Sequence, residues 1–574
     1  MDIVYVTYNS EKWVTKCFES LARSSCDLSQ LSVWVFDNNS SDKTTKLLKD
    51  LQARSQNLFS GFEVIFSDKN LGFGKANNLA AAKGKDDIIC FFNIDTELLP
   101  DSLESLQQSI ICSPADVGMW ELRQLPYEHP KYYDPATGET SWCSGAAFAI
   151  RRSVFDSLGG FDPNIFMYAE DVDLSWRVRS MGYKALYIPK VCIVHHSYER
   201  AAEIKPNQYI YSIINNLLLR YKFGSFPDIA LGHLLFWNMM LRHKAPFFHA
   251  KKKLLSEYIK LNRSLFRILK SRNPNFSKTA KFLKFDYEIM RDGAFCPAAD
   301  AEELPLVSVL VRTCGRPSVL RETLNSLALQ TYQNFEIIVV EDGPPDSEPM
   351  IRKNFHHLNI FYYATDKKVG RSQVGNLAME KAHGKYLNFL DDDDLFFADH
   401  IEVLVQALSK SDKRAAYAAG LETPIEVISV NPYQYRVVQY IKRHTQGFDP
   451  VVLCHHNYIP IQCIMFEKEL FENYGGFDTD LDALEDWDLW VRYSLYTDFE
   501  FVPKTTSIYR VPSDQMVSRK RQSALDEALV VLRNKHKKYM RQLSVSDIAS
   551  LYEKASLSTK NFKWRHYGKF CNRE

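Results

Sequence analysis

No stretch of the 574 residues reaches the roughly 18 uninterrupted apolar positions that a membrane-crossing helix needs. The nearest approach, residues 229–240, is short and interrupted by His233 and Asn238. An excess of one charge is missing too. The formal net charge is +1, which excludes binding of polyanions by the molecule as a whole. The eleven cysteines include no Cys-x-x-Cys pair and no disulfide-like spacing, so a reducing compartment is expected. Met1-Asp2-Ile3-Val4 lacks the charged start and long apolar run of a secretory leader, and the expected location is cytoplasmic. With 45% hydrophobic and 25% charged residues the composition is that of a globular protein. The length is too great for one ordinary core, so two or more domains are expected.

What is there is one domain, twice. Val4-Tyr5-Val6-Thr7 is a short apolar strand ahead of a helical pattern through Leu21, and Val307 to Thr313 repeats it ahead of a helix over 318–329. A second strand closes on an acid in each half, at Asp37 and at Glu341-Asp342. Asn70-Leu71-Gly72 and Val369-Gly370-Arg371 then open helices. Residues 88–92 lead into Asn93-Ile94-Asp95, as 386–390 lead into Asp391-Asp392-Asp393-Asp394. Gly-Gly-Phe-Asp at 159–162 precedes Glu170-Asp171, and the same four residues at 475–478 precede Glu485-Asp486. Six landmarks in one order, roughly 300 residues apart, imply internal duplication. Strands alternating with helical patterns imply βαβ units.

Four adjacent carboxylates repel one another. A hard divalent cation offsets that repulsion and is often shared with substrate phosphates. The run would lie at the carboxyl end of a buried strand, where open α/β sheets bind ligands. A solvated acidic turn is the alternative. The Glu-Asp pairs also allow two readings. Acids in a helix's first turn complement its macrodipole, and a positioned carboxylate can take a proton from an attacking alcohol.

Together these landmarks resemble family 2 glycosyltransferases of the GT-A fold, in both copies. The resemblance implies an α/β protein of two GT-A domains, Rossmann-like with mainly parallel sheets, over 1–222 and 301–520. A helical connector over 223–300 would join them, and a helical tail would occupy 521–574. On the nucleotide-sugar side it implies Thr7, Asp37, Asn70, Gly72 and Asn93 in the first copy, and Thr313, Asp342, Gly370, Arg371 and Asp392 in the second. It implies a divalent metal, Mg²⁺ or Mn²⁺, on Asp95 with His195 or His196, and on Asp391 and Asp393. Asp171 and Asp486 would be general bases, with Glu170 and Glu485 orienting them, and transfer would invert the anomeric carbon. The first copy further resembles rhamnosyltransferase-type members, implying a dTDP-sugar, and the second resembles hexosyltransferases that use UDP-sugars. Two unlike copies imply two successive linkages on an oligosaccharide or lipid-linked glycan, as in O-antigen or capsule synthesis at the inner face of the cytoplasmic membrane.

Residues 242–284 carry thirteen Lys or Arg against one acid, Glu257. Such a basic amphipathic stretch suits an anionic membrane surface; a solvated connector is the alternative. The end of the chain interleaves aromatic and basic residues at Phe562-Lys563-Trp564-Arg565-His566-Tyr567. Nucleic acid is not expected as a partner, because each half places acids in its presumed cleft. Two competing readings stand beside the main one. One copy could be a glycan-binding module, or the chain could be a sugar nucleotidyltransferase, although the Gly-rich basic loop of such an enzyme is missing.

Overall fold

The computed structural model describes residues 1–55, 57–128, 131–196, 205–270, 272–273, 282, 291–293, 304–481, 483–540 and 545. The first domain contributes β1 (Asp2–Thr7), β2 (Ser32–Asp37), β3 (Gly61–Phe66), β4 (Ile88–Asn93), β5 (Thr96–Leu98), β6 (Val117–Leu125), β7 (Glu139–Thr140), β8 (Ala147–Arg151) and β9 (Lys184–His195). The second contributes β10 (Val307–Thr313), β11 (Phe335–Glu341), β12 (Ile360–Ala364), β13 (Tyr386–Phe389), β14 (Leu395–Phe396), β15 (Ala415–Val430), β16 (Tyr433–Val437), β17 (Ile441–His444), β18 (Ile464–Glu467) and β19 (Phe499–Pro512).

The first sheet runs β3-β2-β1-β4-β8-β6-β9-β5, and the second runs β12-β11-β10-β13-β18-β15-β19-β14. Position by position the two orders are the same, so the duplication read in the chain is a duplication of topology. Each sheet is parallel through its first four strands and mixed beyond them. Helices cover both faces, which is why all seven residues of β10 are buried. Alternate side chains feed opposite layers: Ile3 and Tyr5 enter one core and Val4 the other.

A helix past each sheet is pinned in the same way. Lys222, on the helix Pro206–Phe223, ion-pairs with Asp162 at 2.6 Å and with the fully buried Asp173. Lys535, on the helix Gln515–His536, ion-pairs with Asp478 at 2.5 Å and with the fully buried Asp488 at 2.7 Å. The repeated unit therefore extends through these helices. The helix Gln515–His536 runs across the expected boundary between 520 and 521, and its Leu532 seats in the second domain's core. Within the connector, the helices Phe226–Arg242 and Ala250–Arg263 pack on Pro206–Phe223 through Ile210, Ile214, Phe236 and Leu254. The expected aromatic and basic segment at 562–567 lies outside the described residues.

The two domains touch directly. Arg123 of β6 makes a bidentate pair with Glu402, at 2.8 and 3.0 Å. The Tyr133 hydroxyl accepts the Ala398 N–H at 2.8 Å. Tyr133 and Tyr187 share an apolar cluster with Leu395, Phe397, Leu421 and Ile508.

Candidate active sites

Both sites lie at the carboxyl ends of the parallel strands. In the first domain the register puts Thr7 opposite Asp37, and the Thr7 hydroxyl donates to Asp37 at 2.8 Å. Ser40 donates to the same carboxylate from its hydroxyl and its N–H. Asn38 accepts the Leu71 N–H at 2.7 Å and donates to Asn70 and to the Gly72 carbonyl. That clamp sets the loop entering the helix Phe73–Ala81. Gly72 sits at φ +84°, and a Cβ there would lie 2.5 Å from the Phe166 carbonyl oxygen, so only glycine fits.

The second domain shows a shift that the sequence pattern hid. Glu341, not Asp342, lies opposite Thr313. Fully buried Glu341 accepts from Gly315 and Ser347, and so stands where Asp37 does. Asp342 takes the part of Asn38, accepting the Val369 and Gly370 N–H groups at 2.6 and 3.2 Å. Two adjacent acids at one strand end made the wrong one look equivalent.

The strand register also superposes Asn93-Ile94-Asp95 on Asp391-Asp392-Asp393. The four aspartates divide by alternation. Asp391 and Asp393 are 28% and 40% exposed and face the cleft, whereas Asp392 and Asp394 are 1% exposed. Asp392 accepts from Thr313 at 2.7 Å and from Arg316, and Asp394 accepts the Arg510 N–H at 2.8 Å. Burial raises Asp392 to about 7 against the opposing charge of Arg316. Asp392, expected on the donor side, instead props the turn from beneath.

Next comes the Glu-Asp pair. It opens the helices Glu170–Ser180 and Glu485–Tyr493, each preceded by a left-handed non-glycine residue, Ala169 at φ 69° and Leu484 at φ 62°. Such strain persists only where the surroundings enforce it, and it clusters at functional sites. Asp171 accepts the Gly145 N–H at 2.7 Å, and Ala146, the next residue, accepts the Asn93 N–H at 2.9 Å. The pair and the acidic strand end thus share one wall. In the second domain Arg312 makes the link outright, with a bidentate pair to Asp391 at 2.7 and 2.8 Å and a bond to Glu485 at 3.0 Å. Arg371 lies 4.0 Å from the same glutamate.

Burial raises carboxyls in both pairs. Burial, then the neighbouring Asp171 charge, raises Glu170 to about 8, and its buried Oε2 has no hydrogen-bond partner among the described residues. Burial also raises Asp171, against the N–H groups of Gly145 and Val172. In the second domain burial, then Glu485, raises Asp486 to about 7 while Asn457 and the Trp487 N–H hold it. Val6 stands where Arg312 does, so no arginine at that position satisfies Glu170.

The chemistry around a metal differs as well. His195 Nε2 is 3.5 Å from Asp95, and its Nδ1 bonds Gln124 at 2.7 Å. Burial would raise the Asp95 carboxyl, but His195 outweighs it and holds the group low. His196 turns to Glu97 at 2.7 Å and stacks on Trp13. Arg510 stands at the place of His196 in the second domain, donating to the Asp393 carbonyl. No cluster of three or more potential ligands occurs among the described residues. Asp95 with His195, or Asp391 with Asp393, would fit a cation whose other positions are filled by phosphate oxygens and water.

Arg312, Arg316, Arg510, Asn38, Glu341 and Asn457 escaped the sequence reading. A charged Arg312 directly after the apolar run Val309 to Val311, still within β10, was the available signal.

The profile of glycosyl transferase family 2 matches residues 2–159 and 308–475, more than half of the chain and once in each domain. The chain belongs to this family. An uncharacterized glycosyltransferase of Rickettsia typhi is 27% identical over 207 residues, 35% of this chain and 64% of that protein. The chain thus spans under two thirds of that relative's length. N-acetylglucosaminyl-diphospho-decaprenol L-rhamnosyltransferase of Mycobacterium tuberculosis is 26% identical over 242 residues, 34% of this chain and 76% of that protein. Among solved structures, a mannosyltransferase of Pyrobaculum calidifontis in complex with GDP-Man and Mn²⁺ aligns at 18% identity over 48% of this chain and 73% of its own, with TM-score 0.32. In this glycosyl transferase family 2 protein the candidate residues on the parallel strands, Thr7, Asp37, Asp95, Thr313, Glu341 and Asp391, fall within the matched segments, and the Glu-Asp pairs and His195 lie past their ends.

Proposed function

We propose that each domain is an inverting glycosyltransferase site, taking a sugar from a nucleotide diphosphate and delivering it to a glycan hydroxyl. The observation that carries this reading is the recurrence, in both halves, of a buried Glu-Asp pair walled against a strand-end acid, closed in the second by Arg312. In this reading Asp171 and Asp486 take the acceptor proton, and Glu170 and Glu485 orient them. The strand-end loops at Gly72 and Gly370 receive the diphosphate through backbone N–H groups. A divalent metal on Asp95 and His195, or on Asp391 and Asp393, would stabilise charge on the departing diphosphate. The protein's own residues position the donor, hold the acceptor proton and exclude water.

The acceptor proposed is a lipid-linked bacterial surface glycan. The curated rhamnosyltransferase relative acts on a decaprenol-linked sugar by its name. No helix among the described residues is long and apolar enough to cross a membrane. The helix Phe226–Arg242 leaves Phe226, Leu231, Leu234, Trp237 and Leu241 exposed beside the basic run that follows, a combination suited to an anionic lipid surface.

A second reading has its own support. Arg312 and Arg316 already compensate Asp391, Asp392 and Asp393, which suits a second domain that binds glycan without transferring it. Assaying Asp171→Asn and Asp486→Asn separately, against panels of dTDP- and UDP-sugars with a lipid-linked acceptor, decides between them. Two distinct lost transfers support two active sites, and a silent Asp486→Asn supports the binding module.

A further inference from the structure

Beyond the two sites, a cleft of about 490 Å³ opens where the domains meet. Tyr132 and Asp134 come to it from the first domain, and Glu322, Tyr433, Tyr435 and Tyr440 from the second. Its volume lies within the roughly 300–1,000 Å³ range of small-ligand sites.

The second domain builds this cleft with chain added to the repeat. Where β6 runs nine residues, β15 runs sixteen; β16 pairs on the added length, from Ile425 to Val430, and β17 pairs just before it, at Gly420 to Glu422. Tyr433 and Tyr435 are two apart on β16 and so share a face, with ring centroids 5.3 Å apart. Tyr132 and Tyr440, which also line the cleft, stand 4.6 Å apart. The Arg510 guanidinium lies 5.0 Å over Tyr435 and 6.0 Å over Tyr433, and donates to Glu322 at 2.6 Å. The same arginine donates from its side chain to the Asp393 carbonyl and from its backbone to Asp394. One residue therefore separates the cleft from the second domain's acidic strand end.

Amphipathic rings offer flat apolar faces with polar tips. The Asp134 and Glu322 carboxylates and the Gln434 amide beside them suit a ligand that is apolar on its C–H faces and rich in hydroxyls at its edges. Arg510 compensates Glu322, and the Asp134 carboxylate, which makes no ion pair among the described residues, disfavours polyanions such as nucleic acid and phosphorylated chains.

We propose that this cleft binds a neutral oligosaccharide, the acceptor chain of the second domain, gripped between tyrosines of both domains. The proposal rests on the reading of that domain as a glycosyltransferase, and it adds a subsite that the repeated unit alone does not contain.

The test uses the full chain and hexasaccharides of glucose, N-acetylglucosamine and rhamnose at millimolar concentration, with binding read by saturation-transfer NMR. At least one should bind. Tyr433→Ala and Tyr440→Ala should each weaken it by about tenfold, Tyr433→Phe should retain most of it, and UDP binding should be unchanged in all three. Two variants at separate places, Tyr433 on β16 and Tyr440 in the loop ahead of β17, guard against a single misfolded protein. No binding by any of the three sugars overturns the proposal, as does binding that both alanine variants leave intact. Transfer is measured apart, through Asp486→Asn, so an inactive second domain and an empty cleft give different results.

Discussion

Lys222 and Lys535 occupy the same place in the two halves, each bridging the Gly-Gly-Phe-Asp aspartate and the aspartate three residues after the helix-opening glutamate. Each lysine thereby ties a helix outside the sheet to the helix that carries the candidate base. Asp488 also keeps Arg492 at 2.9 Å and His536 at 3.2 Å, so losing the lysine does not leave it bare. Lys535→Met should cost about 1.5–3 kcal/mol, the worth of a charged hydrogen bond in a partly buried network. Urea unfolding of the full chain measures it. An unchanged midpoint would mean that the helix Gln515–His536 is docked by Leu529, Leu532 and His536 without the lysine.

Arg312 carries more. It is buried among Asp391, Glu485 and the rings of Phe389 and Phe477. Arg312→Met leaves two carboxylates without their shared cation, and breaking a buried pair from one side costs about 3–5 kcal/mol. Arg312→Met with Glu485→Gln should recover part of that loss. A thermal scan of both variants tests the point, and a double variant no more stable than the single one would refute the pairing.

The pH dependence of the second site follows from Asp486, which burial and Glu485 raise to about 7. A base must be ionised, so turnover should climb by about tenfold per pH unit below that value and level off above it. Stability runs the opposite way. A carboxyl with a folded pKa above its unfolded value holds its proton more tightly in the fold, so its contribution is fully present below about pH 4 and is lost as pH rises to about 7. Asp486→Asn should lower turnover by roughly 10²–10⁴-fold and raise the Tm above neutral pH. A variant Tm that tracks wild type from pH 4 to 8 would show that Asp486 is not forced to ionise in an apolar setting.

Much of this was legible in the chain because it was written twice. The shared topology, the Gly72 and Gly370 turns and the Glu-Asp helix starts all showed as matched landmarks. Register did not show, because a strand ending in Glu341-Asp342 offers two acids and only the pairing with Thr313 selects one. Charge compensation was hidden for a different reason. Arg312, Arg316 and Arg510 lie far from the aspartates in sequence and meet them only when the strands align. The sequence placed Asp391 and Asp393 on a cation and Asp392 on the donor side, yet alternation along the chain buries Asp392 and Asp394 as supports.

The two histidines after β9 separate the last prediction cleanly. His195 faces Asp95 at 3.5 Å with its other nitrogen fixed by Gln124, whereas His196 is committed to Glu97 and stacked on Trp13. A ring oriented by a partner on its far nitrogen is the usual arrangement of a metal-binding histidine. His195→Ala should therefore weaken Mn²⁺ binding at the first site by more than the roughly 10–100-fold typical of losing an outer partner, and Gln124→Ala should fall in that range. His196→Ala should change it little. Mn²⁺ titration by isothermal calorimetry in the presence of a dTDP- or UDP-sugar reads all three. A larger loss at His196 than at His195 would reverse the assignment and place the cation on the Glu97 side of the strand.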